Sequence, residues 1–189
     1  MSEFNWIGEG VFTVSEFLSA AECDELIAIS ESLGYEDAPL STSLGAVMRK
    51  DIRNNDRIVL DDAERAANLW QRARDYVPLR YRGRDAVGFN ERFRFYRYDL
   101  GQLFNWHRDG CFKRPSGERS LITVLLYLND NFTGGETSFD EPEIQTGIMK
   151  IVPRTGLALF FDHPLLHKGE PVENGRKYVL RTDVMYTAP

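Results

Sequence analysis

The second half of the chain consists of short apolar or alternating segments separated by glycine and proline, and this pattern constrains the fold more than any other feature. Residues 91–98 alternate, with Phe93 and Phe95 on one side. Residues 121–128 are apolar on both sides, which is typical of a strand covered on both faces. Further strands are expected at 137–139, 148–152, 157–161 and 176–186, with a turn at 153–156. This many short strands predicts a jelly roll or a small barrel.

The residues before 90 are predicted to contain two helices. Ser19 and Glu22 fit a capping box in front of an apolar periodic pattern, which predicts a helix over 20–33. A second apolar pattern predicts a helix over 61–76. The two remaining segments are predicted to be a flap of loop and short strands at 37–57 and a connector at 78–88.

Length and composition favour a single domain, 1–189, in which 1–89 supplies helices and a flap and 90–186 forms the core. We expect no membrane segment, because no apolar run approaches the length of a span. The first residues do not resemble a signal peptide, and the only cysteines, Cys23 and Cys111, are expected to be free thiols. A cytoplasmic location is therefore predicted.

Charge is unevenly distributed along the chain. The formal net charge is −6, which argues against nucleic acid as a partner. Residues 49–97, however, carry thirteen basic and eight acidic side chains. Two interpretations follow: this basic segment faces an anionic substrate, or it forms a solvated surface on which arginines pair with nearby acids.

All three histidines lie in two short segments, and this concentration predicts a metal site. The first segment is His107-Arg108-Asp109, and the second ends in His163 and His167. In an extended segment, residues i and i+2 point to the same side, so His107 and Asp109 can reach one ion. Two imidazoles and one carboxylate with open positions suit Fe(II). Only one late histidine is expected to bind, since the proline between them disfavours a helix.

A longer motif surrounds the first histidine. Residues 98–109 read Tyr-Asp-Leu-Gly-Gln-Leu-Phe-Asn-Trp-His-Arg-Asp. They resemble the Tyr-x-x-Gly-x-x-(Tyr/Phe)-x-x-His-x-Asp motif of the prolyl 4-hydroxylase-like 2-oxoglutarate/Fe(II) dioxygenases. Similar segments follow in the family's order at Tyr127-Leu128-Asn129, Gly134-Gly135-Glu136-Thr137, 153–161 and 167–178. The resemblance covers roughly residues 90–186, and residues 17–23 are similar to the family's entry helix.

The resemblance implies a fold and a set of cofactors. The expected fold is α+β but mainly β, with a double-stranded β-helix (jelly-roll, cupin-like) core and N-terminal helices packed on it. The implied iron ligands are His107, Asp109 and His167, and the spacing from His167 to Lys177 selects this histidine over His163. Fe(II), 2-oxoglutarate and O2 are implied, with ascorbate as an accessory reductant.

The resemblance also assigns a cosubstrate site. Lys177 matches the family cation that holds the distal carboxylate of 2-oxoglutarate, Tyr127 matches its hydroxyl partner, and Tyr98 adds a second hydroxyl. Arg181 is the alternative cation, because its guanidinium would form a better fork for a carboxylate. By strand parity Lys177 and Arg181 share one face about 13 Å apart, too far to grip one carboxylate together.

The implied reaction is hydroxylation of an unactivated C–H bond in a protein side chain or a small molecule, with release of succinate and CO2. By parity with Tyr98, Arg94 is predicted to hold an anionic group of the substrate or an acid beside the site. Arg57 and Arg53 in the predicted flap are further candidates for this role. Two alternatives remain, a cupin-like metal enzyme that does not use 2-oxoglutarate and a non-catalytic binding module.

Overall fold

The computed structural model describes residues 2–42, 45–140 and 147–188. Within these residues it contains two helices, α1 (Ala20–Leu33) and α2 (Ala63–Ala73). The strands that precede residue 90 are β1 (Phe4–Gly8), β2 (Val11–Val14), β3 (Glu36–Asp37), β4 (Leu40–Thr42), β5 (Gly45–Val47), β6 (Asp56–Asp61), β7 (Arg80–Tyr81) and β8 (Arg84–Phe89). The later strands are β9 (Arg92–Tyr98), β10 (Phe104–His107), β11 (Arg119–Tyr127), β12 (Thr133–Gly134), β13 (Thr137–Asp140), β14 (Ile148–Ile151), β15 (Ala158–Asp162), β16 (His167–Gly169), β17 (Val172–Asn174) and β18 (Lys177–Tyr186).

Two antiparallel sheets dominate the fold. The larger has ten strands in the order β1-β2-β15-β11-β18-β9-β6-β3, with β8 also pairing with β18 and β7 pairing with β8. The smaller has four strands in the order β10-β16-β13-β14. Two separate two-stranded pairs, β12 with β17 and β4 with β5, complete the described strands. Antiparallel strands that leave one sheet and return to the other are what a jelly roll requires.

Each face of the larger sheet buries an apolar cluster. On one face, side chains such as Phe95 and Phe160 pack with Leu26 of α1 and Leu69 of α2. On the other face, the core lies between the two sheets, where the rings of Phe139 and Phe161 meet edge to face at 5.1 Å. The strand predicted to be covered on both sides, β11, is indeed central and buried on both faces.

The first helix forms as the sequence predicts. It spans Ala20–Leu33, with the Ser19 backbone N–H donating to the Glu22 carboxylate at 2.8 Å and the Glu22 N–H donating to the Ser19 hydroxyl at 3.3 Å. The second helix is shorter than the predicted 61–76. It begins only at Ala63, because Asp61 still belongs to strand β6. Asp62 acts as its N-cap and accepts from the Arg65 N–H at 2.9 Å.

Residues before 90 contribute more strand than the sequence predicts. The predicted connector contains the hairpin β7–β8, whose turn residues Arg82 and Gly83 have φ of 50° and 75°. A pair of residues with positive φ is typical of a two-residue hairpin turn. Within the predicted flap, β4 and β5 pair, while residues 43 and 44 lie outside the described part. Strand β6 joins the larger sheet by pairing with β9.

The two cysteines are free thiols, as predicted. Cys23 is a buried residue of α1, and burial raises the pKa of its thiol to about 11, so it is expected to be unreactive. Cys111 is exposed. In the part of the chain that the structure describes, no helix combines the length and apolarity needed to cross a membrane.

Candidate metal and cosubstrate site

Strands β10 and β16 of the smaller sheet bring the two predicted histidine ligands together. They pair antiparallel with His107 directly opposite His167, and the two rings lie 4.1 Å apart between centroids. Asp109 follows β10 in irregular backbone, where its N–H donates to the His163 carbonyl at 3.1 Å. Residues far apart in sequence are therefore held next to each other by sheet register and one loop hydrogen bond.

These three side chains have the geometry of a metal site. One ligand atom from each of His107, Asp109 and His167 lies within 4.8 Å of the others. The closest approaches to the carboxylate are 3.8 Å from His107 Nε2 and 3.7 Å from His167 Nε2. Three ligands on one side of an ion leave its other positions free for substrate and oxygen, and this set suits Fe(II).

Backbone carbonyls orient both imidazoles. His107 Nδ1 lies 2.7 Å from the Asn105 carbonyl, and His167 Nδ1 lies 3.0 Å from the Leu165 carbonyl. A carbonyl oxygen only accepts, so each Nδ1 must carry the proton and donate it. The lone pair is consequently on Nε2, which is the atom that faces Asp109. This arrangement is how metal-binding histidines are usually held.

The protonation states also fit a metal. Burial lowers the pKa of His107 to about 3 and lowers that of His167 as well. Burial alone would raise the pKa of Asp109, but the adjacent Arg181 guanidinium holds it well below its usual range. At neutral pH the site therefore presents two neutral imidazoles and one carboxylate, the forms that bind a cation without first losing a proton.

Both oxygens of the Asp109 carboxylate have a donor. The Thr123 hydroxyl donates to Oδ2 at 2.6 Å, and the Arg181 guanidinium donates to Oδ1 at 2.6 Å. Arg181 also donates to buried Asp183 at 3.1 Å. Thr123 and Asp183 were not predicted from the sequence. A signal existed, because Asp183 continues the parity of Arg181 on β18, but the contact with Thr123 depends on strand register.

The two late histidines have different surroundings. His167 belongs to the cluster with Asp109, whereas His163 is buried beside Asp183, with Nε2 3.4 Å from that carboxylate. The geometry thus groups the histidine that the sequence predicts with the other ligands. His163 instead neighbours the Asp183–Arg181 pair that supports Asp109.

A buried cation lies further inside the same cavity. The Lys177 side chain is 3% exposed, and its ammonium donates to the Gly135 carbonyl at 2.6 Å. It also lies 5.2 Å from the Tyr98 ring and 5.5 Å from the Tyr127 ring. Among the described residues no carboxylate oxygen lies within 4.0 Å of it. A buried charge with no carboxylate in contact is costly, and burial lowers the pKa of Lys177 to about 7 although the negative charge of Glu136 acts in the opposite direction.

Arg181, the alternative cation, is already paired. Its guanidinium contacts Asp109 and Asp183 at 2.6 and 3.1 Å, whereas Lys177 has no acidic partner within 4.0 Å among the described residues. Both side chains line the cavity, as their shared parity on β18 predicts. Of these two candidates, Lys177 is therefore the cation that is left without a carboxylate in contact among the described residues.

Both tyrosines that are predicted as hydroxyl partners, Tyr98 and Tyr127, lie near Lys177. Tyr98 lines the cavity. The hydroxyl of Tyr127 lies 2.7 Å from the hydroxyl of Thr137. Thr137 itself lines the cavity. Thr137 belongs to the family-like Gly-Gly-Glu-Thr segment, but no role in binding the cosubstrate is predicted for it from the sequence.

The three arginines predicted for substrate line a second chamber next to the iron-ligand cluster. Arg53, Arg57 and Arg94 share this chamber with His107 and Asp109. The guanidinium of Arg94 lies 3.4 Å from buried Asp183, so in this structure it holds an acid beside the site.

Comparison with known proteins gives a consistent result. The 2OG-Fe(II) oxygenase superfamily matches residues 93–182. Prolyl 4-hydroxylase 13 of Arabidopsis thaliana is 32% identical over 114 residues, covering 48% of this chain and 41% of the relative. Prolyl 4-hydroxylase 1 of the same plant is 26% identical over 132 residues, covering 68% and 46%. The chain thus spans less than half the length of these two relatives.

Solved structures show the same fold. A viral collagen prolyl hydroxylase from Paramecium Bursaria Chlorella virus-1, in a 2-oxoglutarate complex, matches with TM-score 0.64 and 22% identity, covering 94% of this chain and 97% of that one. A prolyl hydroxylase from Trichoplax adhaerens, in complex with a hypoxia inducible factor peptide, matches with TM-score 0.69 and 19% identity, covering 93% and 83%. The predicted double-stranded β-helix core is confirmed.

Proposed function

Because the model of the 2OG-Fe(II) oxygenase superfamily matches residues 93–182, we propose that this chain is an Fe(II)- and 2-oxoglutarate-dependent dioxygenase that hydroxylates an unactivated C–H bond. Succinate and CO2 are the coproducts. One observation carries the proposal: a His-Asp-His cluster and a buried lysine without an acidic partner among the described residues line the same cavity.

Each residue has a distinct part in this proposal. His107, Asp109 and His167 hold Fe(II) through two Nε2 atoms and a carboxylate, and Lys177 pairs with the distal carboxylate of 2-oxoglutarate. Thr137 and Tyr98 are the hydroxyl groups that line the cavity near the lysine, with Tyr127 orienting Thr137. Arg181 and Thr123 fix the Asp109 carboxylate.

The iron and the cosubstrate supply the oxidising chemistry, and the protein supplies orientation and exclusion of water. The Asp109 and His167 side chains are buried, so water does not readily replace them as ligands. Apolar side chains, including Phe161, Leu125 and Val179, line the same cavity as the proposed iron ligands and Lys177. No side chain is required as a general base for the hydrogen abstraction. Ascorbate is proposed as an accessory reductant.

The substrate is a protein side chain or a small molecule. The relatives in the comparisons carry the name prolyl 4-hydroxylase, which makes a prolyl residue of a peptide the first substrate class to test. The proposed location is the cytoplasm, a reducing compartment in which free cysteines such as Cys23 and Cys111 are expected.

A substrate screen tests the proposed activity. The protein, with Fe(II), 2-oxoglutarate and O2, is offered prolyl peptides, free amino acids and other small molecules, and succinate is measured. We expect succinate formation to rise with the substrate and to be lost in His107→Ala, with one oxygen atom added to the substrate by mass spectrometry. Succinate at equal rates in wild type and His107→Ala would contradict the proposal.

The depressed pKa of Lys177 predicts that 2-oxoglutarate binding depends on pH. The lysine pKa is about 7 in the unliganded protein because of burial, and a bound carboxylate raises it by favouring the charged form. Affinity is therefore full below about pH 7 and falls as pH rises above it, about tenfold per pH unit.

Calorimetric titration of the anaerobic Fe(II) protein with 2-oxoglutarate between about pH 6 and about pH 9 measures this effect. Lys177→Arg is the matched control, because a guanidinium stays charged throughout this range. A wild-type affinity that does not change with pH would show that Lys177 does not titrate with binding.

A further inference from the structure

The chamber next to the iron ligands has an unusual wall. Within the described part of the chain, five arginines line it, and the only acidic side chain in the lining is Asp109, which is itself one of the proposed metal ligands. The arginines are Arg53, Arg57, Arg94, Arg108 and Arg181. They come from the flap region, from β9, from the loop after β10 and from β18, so the fold gathers them from four parts of the chain.

Three of these arginines already have partners. Arg181 pairs with Asp109 and Asp183, Arg94 lies 3.4 Å from Asp183, and Arg108 donates to the Pro164 carbonyl. Carboxylates of the protein thus pair with Arg94 and Arg181, whereas Arg108 is held by a neutral backbone carbonyl.

Arg53 is buried but incompletely bonded. It is 5% exposed, and its Nε donates to the Asn55 side-chain oxygen at 2.8 Å. The guanidinium lies 4.5 Å from the Tyr96 ring and 4.4 Å from the Phe104 ring, which hold it by cation–π contact. Its Nη2 has no hydrogen-bond partner among the described residues. Because Phe104 stacks on His107 at 3.5 Å, one ring separates this guanidinium from a proposed iron ligand.

Arg57 also has no acidic partner. It is half-buried on β6, directly opposite Tyr96 of β9, whose ring Arg53 covers. Within the described residues, no carboxylate oxygen lies within 4.0 Å of Arg57. Burial and the positive charges of Arg53 and Arg94 lower the pKa of Arg57. Two guanidinium groups therefore repel each other in a partly desolvated chamber, which an anion between them would relieve.

We propose that Arg53 and Arg57 recognise a carboxylate of the substrate and so position the neighbouring C–H bond at the iron. This inference rests on the proposed dioxygenase function and specifies its substrate class. A guanidinium fork matches a carboxylate in geometry and charge. The chain as a whole has a formal net charge of −6, which opposes a polyanion and favours a single local anionic group. The carboxylate belongs to a free acid or chain terminus, or to an acidic residue beside the hydroxylated one.

Matched acid and amide compounds test this recognition. The probes are N-acetylproline and N-acetylproline amide, a short prolyl peptide as free acid and as amide, and the same peptide amide with Asp or Asn next to proline. Binding to the anaerobic Fe(II)·2-oxoglutarate protein is measured by calorimetry, and turnover by succinate release. We expect at least one acid to bind about tenfold or more tightly than its amide, since charge-assisted hydrogen bonds exceed neutral ones by this amount. The pair that shows the preference identifies the source of the carboxylate.

Arginine variants locate the recognition. Arg57→Gln is expected to reduce the acid-over-amide preference about tenfold, and Arg53→Lys tests the buried group while keeping its charge. Arg154→Gln, at an exposed arginine in the turn between β14 and β15, is the matched control and should leave the preference unchanged.

The outcomes separate the two proposals. A normal Fe(II)·2-oxoglutarate absorption band together with equal binding of acids and amides, or with binding of neither, would overturn carboxylate recognition and leave the dioxygenase proposal intact. An acid preference that survives unchanged in both arginine variants would also overturn it. Absence of the band itself would instead contradict the proposed function.

Discussion

Replacing Lys177 by alanine is expected to weaken 2-oxoglutarate binding by about 100-fold or more. The ammonium is 3% exposed and has no carboxylate within 4.0 Å among the described residues. Loss of one partner from a buried ion pair costs about 3 kcal/mol or more, because the other charge is left buried and unpaired, and this is equivalent to about two powers of ten in affinity. Iron binding should be nearly unchanged, since Lys177 is not in the ligand cluster.

Calorimetry with anaerobic Fe(II) protein measures this loss. Arg176→Ala is the matched control, because Arg176 is the adjacent residue but pairs with Asp99 on the outside of the protein. The unliganded Lys177→Met protein should be more stable than wild type, since it no longer buries an unpaired ammonium. A 2-oxoglutarate affinity that is retained in Lys177→Ala but lost in Arg181→Lys, which keeps a cation beside Asp109, would transfer the role to Arg181.

The second large effect concerns iron. His167→Ala is expected to reduce Fe(II) affinity by more than about 100-fold, because changes to residues that merely orient a ligand already cost about 10- to 100-fold. His163→Ala is the matched variant from the same short segment. It removes a ring that lies beside Asp183 rather than Asp109, so Fe(II) should still bind.

Fe(II) affinity of both variants is measured anaerobically by competition with a chelator, and thermal unfolding of the metal-free proteins checks that each is folded. Loss of Fe(II) binding in His163→Ala, with binding retained in His167→Ala, would mean that His163 rather than His167 is the iron ligand. Equal loss of Fe(II) affinity in both variants would mean that the contact of His163 with Asp183 is as important for Fe(II) binding as the proposed ligand His167.

The sequence predicts the parts of the fold that local pattern determines. Helix α1 has its own capping box, and the alternation in β9 directs Phe93 and Phe95 to the helices and Tyr96 and Tyr98 to the space between the sheets. Strands β6 and β8 were missed as members of the larger sheet. Their pairing with β9 and β18 is a tertiary contact that overrides weak local preference.

In the candidate site, too, local pattern determines some residues and tertiary contact determines the others. Local motifs contain the three proposed iron ligands and Lys177, so these could be predicted. The groups that hold Asp109 could not, because Thr123 and Arg181 reach it through strand register, and Thr123 itself lies opposite Asp183. Tyr127 is predicted as the hydroxyl partner of the cosubstrate, and its hydroxyl lies 2.7 Å from that of Thr137, which lines the cavity.

The arginine-lined chamber shows where sequence reasoning stops. Parity predicts that Arg94 holds either an anionic group of the substrate or an acid beside the site, and in the structure it contacts Asp183. Arg53 and Arg57 were weaker candidates, and they emerge as the stronger ones because neither has an acidic partner among the described residues. Which arginines remain free depends on packing that no single segment encodes.

The most direct test of the central claim is the visible absorption of the protein mixed anaerobically with Fe(II) and 2-oxoglutarate. Chelation of the iron by the keto acid in this site should give a charge-transfer band, which disappears in His167→Ala and requires far more 2-oxoglutarate in Lys177→Ala. A cupin-like enzyme that does not use 2-oxoglutarate, or a binding module without catalysis, predicts no such band. Tight Fe(II) binding by the wild-type protein without the band at saturating 2-oxoglutarate would contradict the account.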